Sequence, residues 1–113
     1  MEYNLELRSK NFAKSVRHWI NSLPKSITTI EDGKQLTRSS GSIGANYIEA
    51  NECLSKKDFQ MRVKIAKKEA KESIFWLDLL EQRDVNLEKE RQILLQECHE
   101  LMNILGAILR NSQ

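Results

Sequence analysis

The stretch LTRSSGSIGANYIEANE, at positions 36–52, constrains this chain more than any other. At helical spacing, Leu36, Ser40, Ile43, Tyr47, Ala50 and Leu54 advance by alternating steps of four and three, placing them on one face of a helix. That face is thin. Ser39, Ser40, Gly41, Ser42, Gly44 and Ala45 carry little bulk. A glycine inside a helix costs roughly 1 kcal/mol against alanine, so close packing must repay the weak propensity. The pattern predicts that a neighbouring backbone approaches closely here.

A chain of 113 residues is expected to form one domain, residues 1–113, with a single core. One proline, four glycines, 30% charged and 40% hydrophobic residues argue against disorder and against many short strands, which leaves long helices. The start, MEYNLELRSK, holds no apolar core of signal-peptide length. No apolar run approaches the ~20 residues that cross a bilayer, so the expectation is a cytoplasmic protein with no membrane partner. Cys53 and Cys98 stand apart, without a CxxC pair, and read as two buried thiols.

Four helices follow from the periodicity. Ser9 caps a first helix over residues 9–23, with Phe12, Val16, Trp19, Ile20 and Leu23 on its apolar face and Pro24 as the stop. Residues 25–33 read either as a loop around Asp32-Gly33 or as an early start to the second helix, which runs to about Leu54. Ser55 caps a third helix bearing the stripe Phe59, Val63, Ala66, Ala70, Ser73 and Leu77, flanked by Met61, Ile65, Trp76 and Leu80. The polar stretch at residues 83–86 ends that helix. A fourth starts near Leu87 with Ile93, Leu94, Leu101, Ile104, Leu105, Ile108 and Leu109 at helical spacing. Folding the second and third helices about Lys56 brings Ser39 to Ser73, Ser42 to Ala70 and Asn46 to Ala66. Small meets small, provided the hydroxyls find partners.

These residues carry a family resemblance. RSSGSIGANYIEA, then SKKDF, then KIAKKEAKESIFWLDLL resemble the bacterial four-helix-bundle family of 23S ribosomal RNA intervening sequences, also called S23-like. The similarity covers roughly residues 8–109 and is densest at Arg38, Ser39, Ser42, Ile43, Asn46, Glu49 and Ala50, then at Phe59, Ala66, Glu69, Ala70, Glu72, Trp76 and Leu77. It implies an all-α, antiparallel up-down four-helix bundle assembled as a homopentamer, with no catalytic residues and no cofactor. The resemblance extends to the accessory variability determinant of diversity-generating retroelements, a basic pentamer that binds nucleic acid and a reverse transcriptase. This chain departs from that relative in its net charge of only +2 and in its acidic last helix.

The charge is unevenly placed. Residues 1–71 carry 14 Lys and Arg against 8 Asp and Glu, and residues 72–113 carry 4 against 8. Lys56, Lys57, Arg62, Lys64, Lys67, Lys68 and Lys71 form a basic run interrupted only by Asp58 and Glu69. Such a surface suits RNA or DNA phosphates without base readout, because neutralising phosphates releases counterions. Arg8, Lys10, Lys14 and Arg17 are spaced around the first helix and would add less. The competing reading is a scaffold for a protein partner, in which positive and negative halves of neighbouring subunits complete each other.

A third reading takes Glu49/Glu52, Glu69/Glu72 and Glu97/Glu100 as carboxylate pairs for Mg²⁺-dependent nucleotide hydrolysis. Geometry opposes convergence. Glu49 lies seven residues before the turn and Glu69 thirteen after it, an offset of about 9 Å along the helices. A di-iron bundle would want Glu-x-x-His, whereas Gln96 precedes His99. Glu69 and Glu72 are expected to pair with lysines or with Arg38. Arg38 and Glu49 flank the thin seam as charges retained for register.

Overall fold

Every helix in the computed structural model, which describes residues 4–113, begins at a side-chain cap. Asn4 accepts from the Leu7 amide, Ser26 from Thr29, Ser55 from Asp58 and Asp84 from Leu87. The helices are α1, Leu5–Asn21; α2, Ile27–Asn51; α3, Lys56–Leu79; and α4, Val85–Asn111. No strand occurs among the described residues.

Connections of a few residues force neighbouring helices antiparallel. Four cross-helix contacts show it: Asn51 donates to Glu6 at 2.8 Å, Arg62 to Asn46 at 3.2 Å, Gln60 to the Ser112 carbonyl at 2.8 Å, and the Trp19 indole to the Leu87 carbonyl at 3.0 Å. Helix α2 packs most extensively on α3, and α1 meets α4 least. Val16, Trp19, Leu36, Ile43, Val63, Leu77, Leu101 and Leu105 fill the shared core.

The expected spine is present. Ser39 and Ser73 are both fully buried and their hydroxyl oxygens lie 2.8 Å apart across α2 and α3. Ser73 also donates to the Glu69 carbonyl at 2.9 Å, so the pair is hydrogen-bonded rather than merely buried. On the other side of α2, a Cβ at Gly44 would stand 2.8 Å from the Ser9 hydroxyl. Only glycine lets α1 and α2 meet this closely.

Several boundaries differ from the periodicity. Helix α1 starts at Leu5 because Asn4 provides the cap, and Ser9 is a buried residue whose hydroxyl donates to the Glu6 carbonyl at 3.1 Å. It ends at Asn21, ahead of Leu23. The open segment 25–33 resolves as helix from Ile27 onward, and Asp32-Gly33 is no turn. Helix α2 ends at Asn51, so Leu54 leaves the seam and is fully exposed. Helix α4 begins two residues before Leu87. Of the two thiols, Cys98 is buried, whereas Cys53 is only half-buried beyond the end of α2. Met61 and Ile93, read as apolar surface for packing, are more than half exposed.

Candidate nucleic-acid interface

Ser55 starts α3 and Val63, Ala66 and Ala70 are drawn into the core, which leaves the basic side chains on the outside of the helix. Lys56, Lys57, Arg62, Lys64, Lys68 and Lys71 are exposed and Lys67 is half-buried. Among the described residues none of the seven is in an ion pair. Arg62 donates to the neutral Asn46 Oδ1 at 3.2 Å.

The lysines stay bare because an arginine takes their nearest acid. Arg38, on α2, donates to Glu72 at 2.7 Å and reaches Glu69 at 3.4 Å, and only 13% of the Glu69 side chain is exposed. The Glu69 hydrogen bond, followed by its charge and then by Glu72, pushes the guanidinium pKa up. Of the two partners expected for Glu69 and Glu72, Arg38 is therefore the one used. Glu72 also accepts from the Trp76 indole at 3.5 Å. Glu49 is exposed and makes no ion pair among the described residues, so Arg38 and Glu49 do not act together across the seam. Ser42 donates to the Arg38 carbonyl and Asn46 to the Ser42 carbonyl, both at 2.9 Å, while Ile43 is core.

Antiparallel packing also sorts the last helix. The acids of α4, Glu88, Glu90, Glu97 and Glu100, all lie at or before position 100, whereas residues 101–113 contain none and carry Arg110. That acid-free stretch lies beside the basic half of α3, as the Gln60 to Ser112 bond marks. A last helix that is acidic on average is thus not acidic where it meets the lysines.

Two charge clusters lay outside the sequence reading. Arg8 donates to Glu97 through Nε and Nη2, each at 2.8 Å, and to Glu100 at 2.7 Å. These bonds, Glu97 first, raise its pKa against the cost of burial. Nothing local in the sequence announces a contact between residues so distant. Arg91, only 6% exposed, donates to both Glu88 oxygens at 2.8 and 2.6 Å and to the Leu77 carbonyl at 3.0 Å. Its i,i+3 spacing from Glu88 was the available signal. Arg8 is engaged with acids, and Arg17 donates to the carbonyls of Ala13 and Thr37 at 3.1 and 3.2 Å, so neither extends the bare basic surface.

The same arginines bear on the carboxylate pairs. Glu69/Glu72 is held by Arg38 and Glu97/Glu100 by Arg8. Among the described residues, no three His, Cys, Asp or Glu side chains converge closely enough to hold a metal ion. No described helix is long and apolar enough to cross a membrane. A second surface feature is a cleft of about 910 Å³ between α1 and α4, lined by Leu7, Phe12, Trp19, Ile93 and Leu94 among others.

A family model described as 23S rRNA-intervening sequence protein matches residues 2–107. The chain is also similar to a crystal structure, at 1.70 Å resolution, of a protein of unknown function from the S23 ribosomal protein family of Bacteroides thetaiotaomicron. The two are 29% identical over 93% of this chain and 97% of that one, with a TM-score of 0.76. No curated protein matches the chain.

Proposed function

This chain belongs to the 23S rRNA-intervening sequence protein family, and from that premise we propose a non-enzymatic, cytoplasmic bundle that assembles as a homopentamer and binds RNA or DNA without reading its sequence. The binding surface is Lys56, Lys57, Arg62, Lys64, Lys67, Lys68 and Lys71. One observation carries the reading: seven cations within residues 56–71 of α3 have no ion pair among the described residues, while Glu69, one of the two acids in that run, is withdrawn by Arg38. Cations already paired gain little from a phosphate, whereas bare ones release counterions at full effect. In a ring of subunits the surface would be repeated around the axis.

The test is fluorescence anisotropy with a labelled structured RNA and a matched DNA duplex, across about 50 to 200 mM salt, a range over which several phosphate contacts change affinity by orders of magnitude. Saturable binding that weakens steeply with salt is expected, and its loss on changing Lys64, Lys67, Lys68 and Lys71 to Glu. Sedimentation should give an unchanged assembly for that variant. If wild-type protein leaves both nucleic acids unbound at the lowest salt, the reading fails.

The cleft between α1 and α4 supports a second reading, a scaffold for protein partners. Its wall residues Leu7 and Ile93 are 50% and 68% exposed, which is apolar surface without a covering element. An Ile93→Glu variant that dissociates the assembly while nucleic-acid binding by the subunit persists would assign the cleft to contacts between proteins and the basic face to nucleic acid.

A further inference from the structure

We propose that Lys67 and Arg110 form a two-pronged clamp for a single phosphate group over Gly106. Gly106 is buried on α4, and the point where its Cβ would stand lies 3.4 Å from Arg110 Nη1, 3.6 Å from Lys67 Cε and 3.7 Å from Lys67 Nζ. Two cationic side chains, one from α3 and one from α4, therefore lie together across the bare backbone at Gly106. They are no further apart than those two contacts allow, within reach of one small anion.

Neither cation has an ion pair among the described residues. The sequence around them offers none: residues 59–68 and 101–113 contain no Asp or Glu. Like charges brought together without a counter-charge disfavour each other. Arg110 alone has an ordinary role, since a cation in the last turn of a helix complements the carbonyl end of the dipole. That role does not bring Lys67 to the same spot. A phosphate does account for both, taking a forked donor from the guanidinium and a point charge from the ammonium. The glycine contributes by letting both side chains lie close over α4, since a side chain longer than a methyl at position 106 would push them apart.

The clamp deepens the nucleic-acid reading by naming one phosphate contact and by adding Arg110, which lies outside the run on α3. It also stands apart from that reading, since any phosphate monoester or diester offers the same oxygens. The experiment has two arms. In the first, inorganic phosphate is titrated at pH 7 into ¹⁵N-labelled protein, with chloride at matched ionic strength as control. Saturable shifts are expected at the Gly106 amide and the Arg110 Nε–H, and their loss in the Lys67→Gln/Arg110→Gln double variant. A Lys67→Arg single variant, which keeps the charge, should retain them. Shifts spread evenly over the other lysines, or unchanged in the double variant, would overturn the clamp. In the second arm, the slope of log K against log salt for a DNA duplex is compared between wild type and the double variant. Removal of one phosphate contact should flatten it by about 0.9. An equal slope rejects the clamp while leaving the wider basic surface standing. Localised phosphate shifts in a protein that binds no nucleic acid would keep the clamp and reject the polymer.

Discussion

The two long seams of the bundle, α2 against α3 and α1 against α4, are built on opposite principles. The first uses residues too small to fail: Ser39, Ser73, Ala66 and Ala70 are fully buried, and the hydroxyls bond to each other. The second uses large residues and does not close. It is pinned at one end by Arg8 on Glu97 and Glu100 and toward the other by Trp19 on the Leu87 carbonyl, with the apolar cleft between. Apolar volume alone does not seal a helix pair. What seals it is close backbone approach with every buried polar atom partnered, and no buried side-chain nitrogen or oxygen among the described residues lacks a hydrogen bond.

Enlarging one residue in each seam gives the largest expected difference. Ser73→Leu forces extra carbons into a contact with no slack and should cost about 3 kcal/mol in chemical denaturation, at the upper end of the usual overpacking range. Ile93→Phe, in the open seam, should stay within about 0.5 kcal/mol because the side chain is exposed. Equal losses at the two positions would mean that the cleft is as tightly packed as the spine.

Removing hydroxyls sharpens the same contrast at a smaller scale. Ser73→Ala leaves Ser39 with only a 3.5 Å contact to the Leu36 carbonyl, whereas Ser39→Ala leaves Ser73 its 2.9 Å bond to Glu69. Ser73→Ala should therefore be the costlier, at about 1 to 2 kcal/mol against roughly 0.5, since an unpaired buried hydroxyl loses its solvation. The double variant should cost less than the two singles added, because their shared bond is lost only once. Strict additivity would show that the two hydroxyls do not bond.

In the open seam, Arg8→Met should cost about 1 kcal/mol at low salt and less at high salt, since a partly exposed ion pair is screened. Glu100 gives a local reporter. Its carboxyl is held below the usual range, first by Gln96 and then by Arg8, so the variant should move its titration part of the way up. A titration unmoved by the substitution would remove Arg8 as the pin.

The spine was legible in the sequence because its cause is local. Six small residues crowded into positions 39–45 of a helical pattern call for close packing, and a short turn at Lys56 fixes which residues they meet. The seven cations were equally visible, but their freedom was not. It depends on Arg38 reaching over from α2, and on the polarity within α4 that an average over residues 72–113 conceals. Helix starts went astray where two caps competed. Asn4 and Ser9 both suit an N-cap, and the earlier one wins because Leu5 enters the core one turn before Ser9. The cleft left no mark, since Ile93 has the spacing of a core residue and only the open groove between α1 and α4 exposes it.

The smallest expected effect lies at the end of the bundle away from the lysines, where an arginine buried against α3 is compensated by an acid of its own helix. Arg91 first, then the Gln82 amide at 2.9 Å and the Gln92 side chain, hold the Glu88 carboxyl down at about 2. An unfolded glutamate titrates near ~4.3. A carboxyl whose folded pKa lies below its unfolded one stabilises the fold above the unfolded value. That contribution drains away as pH falls from there to about 2. Protonating Glu88 also strips Arg91 of its hydrogen-bonded charged partner, leaving the guanidinium its bond to the Leu77 carbonyl and the more distant acids Glu81 and Asp78. NMR titration of the Glu88 carboxyl should give a midpoint near 2, moving upward in Arg91→Met. A midpoint already in the ordinary range would show that Arg91 does not compensate the acid, and this end of the bundle would then be as electrostatically open as the lysine face.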